Sequence, residues 1–592
     1  MSKNVKTQST ESTFLKGAMI LSVSMIIVKV IGMVYKICMA RVLGEVGNGI
    51  FNIAYDLYNP LFMLATAGFP IAISRLVSES VANKKYRDAR EIHRISIPIF
   101  LIAGTICFLA MILLSDFYLD LIDASEAKLA IYILAPTIFF GCLVSIYRGY
   151  YEGLRNMVPT AISEVIEATS KLGLGLLFAY SVAYFGTEEY KSQGTLFGQI
   201  QINEDAFSSQ LTSYTVASAI VGISLGSLFA FLFLLIRHKV KGDSITELEL
   251  KNSPSVEGKT KELRNKLIKT AIPVGLGAIV MSVSGTIDTM FVQTRIIDIM
   301  NSAPKVLESM YNYIDPKYFL VSDTGETQIQ TFLYGSFSYA TTLLMLITAV
   351  TQVFGTSALP SITQAWTIKD KGRIKSSIET VLKTTTLFTL PAGLGLCALS
   401  APILTLIFYS ENTASGIIVA TPVLQVMGIS VLFIATSTPI FSMLQAVGRV
   451  DLPLKLLSIA MVIKIVLNYT LVGIPEINIK GAAVGSLVAY LFVCIVGMYY
   501  LCKETKIIPN FNSIIIKPLI CAIISSVSAY LSYNLLSNLI NGNISTIIAI
   551  VVAGVVYALM LLLIRAINKN DLLMLPKGNK IAKVLEKLKL IR

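Results

Sequence analysis

The sequence is poor in charged residues and contains almost no histidine. Only 14% of its 592 residues are charged, whereas a soluble protein has about a quarter. The two histidines, His93 and His238, lie in predicted connections between apolar segments. This excludes a histidine-based metal site or a Ser-His-Asp arrangement within those segments. The sequence also has no phosphate-binding P-loop motif, so we do not expect ATP to drive the protein directly.

The seven cysteines show no ligand-like spacing and lie in or beside apolar segments. Cysteine in such surroundings usually behaves as a small core residue. We therefore expect neither a metal cluster nor a disulfide framework.

Long apolar runs are abundant, and the mean hydropathy is +0.70. Each run is close to the length needed to cross a hydrocarbon core of about 30 Å. The N-terminus lacks the small-residue cleavage site of a signal peptide, so we expect the first run to remain as a span. The pattern predicts an all-α polytopic membrane protein. We expect fourteen spans, at 15–38, 50–75, 95–118, 129–150, 157–185, 211–236, 268–293, 333–362, 384–408, 417–444, 453–474, 481–502, 514–536 and 544–566.

Basic residues are unevenly divided between the connections. Most of the 49 lysines and arginines fall in alternate connections and in both termini, which predicts that both termini are cytoplasmic. The net charge of +13 then belongs to the inner face and its anionic lipids, and it requires no nucleic acid partner. The tail KIAKVLEKLKLIR at 580–592 fits an amphipathic helix on that surface, and a solvated tail fits equally well.

An internal repeat divides the chain. Residues 15–36 align without a gap on 268–289, and RNMVP at 155–159 parallels RVDLP at 449–453. Both copies begin on the inside, so the repeat predicts two parallel bundles, as in carriers that rock between inward-open and outward-open states. The predicted parts are an N-terminal six-helix lobe at 1–242, a cytoplasmic linker at 243–267, a C-terminal six-helix lobe at 268–503, and two additional transmembrane helices with a basic tail at 504–592.

Several charges lie deep within predicted spans. Glu164, Glu167 and Lys171 fall on one face of the span at 157–185, within an arc of about 60°. Lys171 lies about 21 Å along this helix, and Lys29 lies about 20 Å along the first. A charge at the bilayer centre costs about 2.5–3.5 kcal/mol, and such residues usually face a wet cavity or a partner. We therefore expect these side chains to line a central cavity.

The predicted substrate-binding residues share this placement among apolar neighbours. They are Lys29, Lys36, Lys171, Glu164, Glu167, Lys464, Asn468, Asp288, Ser22 and Ser282. The charges have structural alternatives, and Asp288, like Asp56, lies nearer the outer end and could be a rim residue. Lys36 is close to the outer interface and could extend its ammonium into it, and Glu167 could form an ion pair with Lys171 at i,i+4 spacing.

Four stretches carry a resemblance to a known family. They are TAGFPIAISRLVSE (66–79), YRGYYEGLRNMVPTAISEVIE (147–167), AIPVGLGAIVMSVSGTIDTMFV (271–292) and FGTSALPSIT (354–363). The chain resembles the polysaccharide-exporter and lipid II flippase branch of the multidrug/oligosaccharidyl-lipid/polysaccharide exporter superfamily, and within it the stage V sporulation protein B type of Gram-positive bacteria. The resemblance covers nearly the whole chain. It implies two six-helix lobes, fourteen helices, alternating access, and a substrate such as lipid II, an undecaprenyl-pyrophosphate-linked saccharide.

The first helix departs from the family pattern. Lipid II flippases resemble SR-x-x-G-x-x-RD there, and this chain has VKVIGMVYK. Lys29 takes the place of the first arginine, Tyr35 takes that of the second, and Lys36 follows. An arginine-rich segment of the second helix is replaced by apolar residues 61–65. Because lysine is a point charge and not a bidentate fork, pyrophosphate recognition does not carry over unchanged.

The implied substrate has an anionic head and an apolar tail. A cationic, water-filled cleft suits the head, and the two additional helices could form a groove for the tail or serve only in packing. Transport could be coupled to the membrane potential, to H⁺ or to Na⁺, the ions acting through Glu164, Glu167 or Asp288. No organic cofactor is expected.

Two rival functions remain open. A drug or organic-cation antiporter of the same superfamily would use buried acids, and such proteins usually have twelve spans. A membrane enzyme acting on lipid-linked sugars would need clustered groups in outer loops. The loop at 296–330 has five acids without histidine or metal-like spacing, namely Asp298, Glu308, Asp315, Asp323 and Glu326. We therefore predict a transporter and not an enzyme, located in a bacterial cell membrane.

Overall fold

The computed structural model describes residues 2–201, 203–254, 260–320 and 327–567, with the side chains of residues 2–19, 21–22 and some within 272–281 and 353–361 left out. The side chain of Ser22, the acids Asp323 and Glu326, and the predicted tail helix therefore lie outside the described residues.

The described chain is almost entirely helical, as the sequence predicts. The helices are α1 (Ser2–Thr66), α2 (Gly68–Ala82), α3 (Tyr86–Ile122), α4 (Lys128–Leu134), α5 (Pro136–Gly153), α6 (Val158–Gln193), α7 (Glu204–Lys241), α8 (Glu247–Lys251), α9 (Thr260–Ser302), α10 (Pro304–Met310), α11 (Ile329–Thr367), α12 (Lys371–Ala398), α13 (Ser400–Phe408), α14 (Ala414–Ala446), α15 (Asp451–Val472), α16 (Lys480–Thr505), α17 (Lys517–Ser537) and α18 (Gly542–Leu563).

A short hairpin follows α6. Its strands β1 (Thr195–Leu196) and β2 (Gln199–Ile200) pair antiparallel, with Thr195 opposite Ile200. The Glu189 carboxylate, in the last turns of α6, accepts hydrogen bonds from the amides of Phe197 and Gly198 at 3.0 and 2.9 Å, and from the Thr195 hydroxyl at 2.8 Å. Three hydrogen bonds to one carboxylate hold the hairpin against the end of the helix.

Twelve stretches of the described residues are helical, long and apolar enough to cross a membrane. The chain is therefore a multi-pass membrane protein, and the count of fourteen spans stays a prediction. The first stretch, Val23–Ala82, contains the predicted span at 50–75 and the greater part of the predicted span at 15–38. Within it α1 is broken at Gly44, whose φ of 66° and ψ of −168° interrupt the helix. Glycine adopts this conformation at little cost, whereas a side chain would strain it.

The chain divides into two compact units. The first consists of Met1–Thr294 with Pro316–Gly335, and the second of Arg295–Asp315 with Ser336–Arg592. The internal repeat and the predicted boundaries at 242, 267 and 503 stay predictions.

In the first unit, α6 and α7 approach each other through glycines. A Cβ atom on Gly222 of α7 would lie 2.3 Å from the backbone nitrogen of Gly175 in α6. A Cβ atom on Gly175 would lie 2.9 Å from the Tyr35 ring and 3.1 Å from the Ala219 carbonyl oxygen. Close backbone approach at small residues is a common way to pack helices in membranes. The two glycines thus set the distance between α6 and its neighbours α1 and α7.

In the second unit, α17 and α18 pack on α12 and α13. One apolar cluster joins Leu399 to Ala529 and Ala549. The Tyr557 hydroxyl of α18 donates to the carbonyl oxygen of Leu387 in α12 at 2.9 Å. These contacts give the two helices a packing role, and their use as a groove for a lipid tail stays a prediction.

Candidate functional site

Lys171 is held between two tyrosines of α1. Its Nζ donates a hydrogen bond to the Tyr55 hydroxyl at 2.8 Å. The same ammonium lies 5.1 Å from the centroid of the Tyr55 ring and 4.7 Å from that of the Tyr35 ring. Aromatic faces attract a cation electrostatically, and more strongly where water is scarce. The two rings therefore stabilise a positive charge on α6 without neutralising it.

Glu167, one turn before Lys171, pairs with a different residue. Its Oε2 accepts a hydrogen bond from Nη2 of Arg148 in α5 at 2.8 Å, and its Oε1 accepts one from the Ser227 hydroxyl of α7 at 3.0 Å. Arg148 also donates from Nε to the Ser163 hydroxyl at 2.9 Å. The Glu167–Lys171 ion pair offered as an alternative is therefore wrong for this structure. The guanidinium is the better partner because it binds two acceptors of α6 at once through a fixed fork.

The remaining candidates on α1 and α6 are arranged around this centre. Glu164 is half-buried and accepts from the Ser24 hydroxyl at 3.4 Å. Lys36 is half-buried and lies close enough to Lys171 and Asp56 to interact electrostatically with both. Lys29 is exposed. The structure therefore brings Lys36 and Lys171 together, and their role in substrate binding stays a prediction.

Asp56 anchors a second network in the same unit. Its Oδ2 accepts hydrogen bonds from the Thr289 hydroxyl of α9 at 2.6 Å and from the Tyr334 hydroxyl of α11. Asp288, one of the predicted site residues, is buried and interacts electrostatically with Asp56. Ser282, another candidate on α9, donates its hydroxyl to the Ile279 carbonyl oxygen at 2.9 Å. This network ties α1 to α9 and α11. Its residues are distant from Lys171 in the sequence.

Lys464 and Asn468 lie in the second unit, one turn apart on α15. Their exposed fractions are 2% and 0%. A Cβ atom on Gly485 of α16 would lie 2.3 Å from Oδ1 of Asn468. The glycine thus leaves the space that the Asn468 amide fills. Ser22, the remaining candidate, has no described side chain.

Sequence reasoning missed Arg148 and Tyr55. Arg148 lies within YRGYYEG, near the end of a predicted span, where a basic residue is easily taken for part of a cytoplasmic connection. Its spacing of 19 residues from Glu167 gives no local signal, because the two lie on different helices. Tyr55 lies beside Asp56 in the predicted span at 50–75, and nothing in the sequence indicates that it contacts Lys171. Tyr35 was identified only as the replacement of an arginine.

The arrangement is suited to binding an anion at membrane depth. No carboxylate among the described residues forms an ion pair with Lys171, since Glu167 binds Arg148, and Lys36 is a second basic side chain within electrostatic range of it. The described residues contain no group of three or more His, Cys, Asp or Glu side chains that could hold a metal ion. The two basic side chains and the tyrosine rings around Lys171 are suited to electrostatic binding.

Two curated relatives cover most of the chain. The lipid II flippase MurJ of Bacillus subtilis is 22% identical over 498 residues, which are 82% of this chain and 82% of that protein. Stage V sporulation protein B of the same organism is 23% identical over 590 residues, 96% of this chain and 98% of that protein.

Solved structures share the fold. A lipid II flippase MurJ in an inward closed conformation superposes with a TM-score of 0.61 at 15% identity, covering 92% of this chain and 98% of that one. An inward-facing multidrug resistance MATE transporter of the MOP superfamily gives the same TM-score of 0.61 at 14% identity, covering 83% of this chain and 98% of that one. The polytopic all-α architecture is therefore that of this group of transporters.

Sequence profiles identify the family. The profile of the lipid II flippase MurJ family matches residues 319–553. The profile described as polysaccharide biosynthesis protein matches residues 14–366, more than half of the chain. The resemblance found in the four sequence stretches is thereby confirmed, and the chain belongs to the polysaccharide biosynthesis protein family.

Proposed function

We propose that this protein is a flippase that moves an undecaprenyl-pyrophosphate-linked saccharide, with lipid II as the leading candidate, from the inner to the outer leaflet of a bacterial cell membrane by alternating access. The observation that carries the proposal is the environment of Lys171. Because Arg148 binds Glu167, the neighbouring carboxylate does not cancel the lysine charge, and the tyrosine rings stabilise that charge.

This electrostatic balance favours an anionic head group. A pyrophosphate has several acceptor oxygens, and an ammonium within a partly dry site attracts them strongly. Lys36 supplies a second cation within range of the first. The lysines give charge without the fixed geometry of arginine, so the site suits a diphosphate whose saccharide is selected by other contacts.

Energy for the transport can come from the membrane potential. Each negative charge that moves outward across an inside-negative membrane gains about 2.3 kcal/mol per 100 mV. A diphosphate carried on Lys36 and Lys171 would use this gain directly. Coupling to H⁺ or Na⁺ through Glu164 or Asp288 is a second route, which ion gradients imposed on reconstituted vesicles would reveal.

The fold likeness to a MATE transporter favours one rival, a multidrug antiporter. Such a carrier needs acids free to bind a cation or proton. Glu167 is already occupied by Arg148 and Ser227, which weakens this alternative. The double variant Glu164→Gln/Glu167→Gln distinguishes the two functions, since it removes both acids and leaves Lys171 in place.

The experiment has two readouts. Cells depleted of their lipid II flippase are complemented with wild type, Lys171→Ala or Lys128→Ala, the last being an exposed lysine of the same unit bound to Asp116. We expect growth with wild type and Lys128→Ala and none with Lys171→Ala, at equal amounts of membrane-inserted protein. In vesicles, the double glutamine variant should still move lipid II, with only modest loss. Export of a cationic dye that the double variant abolishes, with no lipid-linked saccharide moved, would replace the flippase with an antiporter.

A further inference from the structure

The two histidines of the chain meet at one end of the first unit. His93, near the start of α3, stacks on His238, near the end of α7, with ring centroids 5.0 Å apart and planes at 27°. The rings of Tyr147 and Tyr150 from α5 pack against His93 with centroid distances of 5.1 and 4.6 Å. Beside them is a cavity of about 320 Å³, lined by Arg90, His93, Tyr150, His238, Gly242 and Asp243. None of these residues belongs to the proposed transport site.

The single carboxylate of this cavity has its acceptor positions filled. Asp243 accepts from Arg90 through Nε at 2.6 Å and Nη2 at 2.9 Å, from the Tyr150 hydroxyl at 2.8 Å and from the Ile245 amide at 3.1 Å. Four hydrogen bonds use about all the lone-pair sites of a carboxylate. Asp243 therefore has little capacity left for a metal ion or an organic cation, although its charge lies at the cavity wall.

Two buried nitrogen atoms in this region have no hydrogen-bond partner in the described chain. Nε2 of His93 is buried and has no hydrogen-bond partner in the described chain, and the residue is only 9% exposed. Nη1 of Arg237, one residue before His238, is likewise buried without a partner, and its guanidinium lies 4.8 Å from the centroid of the Tyr151 ring. His238 is already engaged, since its Nδ1 lies 3.1 Å from the Tyr151 hydroxyl. A buried polar atom without a partner destabilises the folded protein, and a bound acceptor would relieve this destabilisation.

We propose that this cavity is a second ligand site, which binds a phosphate-class anion through His93, with Arg90 and Arg237 supplying positive charge. The lining itself has one guanidinium, Arg90, against one carboxylate, Asp243. Arg237 lies outside the lining, over the Tyr151 ring, and adds a positive charge nearby before either imidazole is protonated. A phosphate oxygen accepts from an imidazole N–H or a guanidinium without needing a free carboxylate nearby. The anion can belong to a soluble phosphate compound or to the head group of an anionic phospholipid. This end of the unit is the one predicted to face the cytoplasm, where both are present.

The first test measures phosphate binding by the full-length protein in detergent. Inorganic phosphate is titrated by calorimetry into wild type, His93→Phe and Arg94→Ala. Phenylalanine retains the ring that packs on Tyr147 and Tyr150 and removes only the nitrogens. Arg94 is the exposed neighbour of His93 and lies outside the cavity lining. We expect saturable binding by wild type, a loss of about tenfold or more in His93→Phe, and an unchanged affinity in Arg94→Ala.

The second test identifies the source of the anion. The protein is reconstituted in nanodiscs of phosphatidylcholine with or without phosphatidylglycerol, and the lipid retained after extraction is measured by native mass spectrometry. Retention of phosphatidylglycerol by wild type and its loss in His93→Phe would assign the site to a lipid head group. Binding of inorganic phosphate alone would assign it to a soluble compound.

A third measurement uses only wild type, so it does not depend on whether the His93→Phe variant folds. Diethylpyrocarbonate modifies imidazole, and with two histidines in the chain each product is assigned by peptide mass. Phosphate or phosphatidylglycerol should slow modification of His93 several-fold. The proposal is overturned if wild type binds neither probe, if neither protects His93, or if His93→Phe binds as wild type does. None of these outcomes bears on transport by Lys171, so the two proposals fail separately.

Discussion

Arg148 and Glu167 form an ion pair between α5 and α6, with Nη2 and Oε2 2.8 Å apart and exposed side-chain fractions of 20% and 32%. The pair joins two helices through side chains that would each be costly in a membrane without a partner. It also leaves the positive charge of Lys171, one turn later, without a carboxylate partner in the described chain, because Glu167 is bound to Arg148.

The first prediction concerns this pair. Arg148→Ala should lower the free energy of unfolding by about 1.5–3 kcal/mol, since it leaves a half-buried carboxylate without its charged donor. Thermal unfolding of the purified protein in detergent measures the change. The control is Lys266→Ala, which removes an exposed bridge to Glu79 of 2.8 Å and should cost about 0–1 kcal/mol. Equal losses in the two variants would contradict the structural role given to Arg148.

The second prediction separates the two tyrosines that hold Lys171. Tyr55→Phe removes the hydroxyl that binds the ammonium and should cost about 1 kcal/mol or more. Tyr35→Phe should be neutral or slightly stabilising, because the Tyr35 hydroxyl is buried without a partner in the described chain. Both variants retain the aromatic ring, so they differ from wild type only in the hydroxyl. Thermal unfolding tests the difference. A stable Tyr35→Phe protein that no longer transports lipid II would instead show that this hydroxyl acts on the substrate.

The third prediction uses two glycines that differ in their surroundings. Gly222→Ala should destabilise by about 1–3 kcal/mol, because the new methyl group would overlap the backbone of Gly175. Gly173→Ala, on the facing helix α6, has no neighbour within 4 Å of the new Cβ atom. It should stabilise the helix by up to about 1 kcal/mol. In the same thermal-unfolding assay, we expect Gly222→Ala to lower the stability and Gly173→Ala to raise it. A loss of stability in both variants would argue against the close α6–α7 contact.

The fourth prediction concerns pH. Burial raises the pKa of Asp243, but the hydrogen bonds from Arg90, Tyr150 and Ile245 outweigh it and hold the pKa below its ordinary value. Because the pKa of this carboxyl is lower in the folded protein than in the unfolded chain, where it is about 3.9, the ionised carboxylate stabilises the fold at pH values above about 3.9. This stabilisation is lost as the pH falls through the folded-state pKa. Asp243→Asn should therefore be less stable than wild type at neutral pH. The gap should narrow below about pH 4, and a gap independent of pH would refute the electrostatic origin.

The fifth prediction concerns orientation. Ser192→Cys, in the connection predicted to be external, should react with a membrane-impermeant maleimide added to intact cells. Lys84→Cys, in a connection predicted to be cytoplasmic, should react only after the cells are opened. Both positions are exposed, and wild type gives the background of the seven native cysteines. Labelling of Lys84→Cys in intact cells would reverse the predicted topology.

The sequence was sufficient to predict an all-α polytopic membrane protein, whereas the fourteen spans, the two lobes and the role of Lys171 stay predictions. The length of an apolar run predicts a membrane helix because the thickness of the bilayer sets the length of helix that crosses it. The family profiles match residues 14–366 and 319–553, in agreement with the resemblance. The partner of Glu167 could not be predicted in this way. The i,i+4 rule favours Lys171, and only the packing of α5 on α6 shows that Arg148 has better geometry. The meeting of His93 and His238 is likewise a contact between helices distant in sequence, so neither residue stood out alone.

The hairpin at Thr195–Ile200 has a practical consequence for imaging. A transporter composed mainly of membrane helices offers few features outside the micelle by which single particles can be aligned. The carboxylate of Glu189 ties the turn to the end of α6 through three hydrogen bonds, so an epitope grafted at Gly198 would inherit the orientation of that helix. An antibody fragment bound there would serve as a rigid fiducial, and its tilt between particle classes would report the movement of α6 during transport.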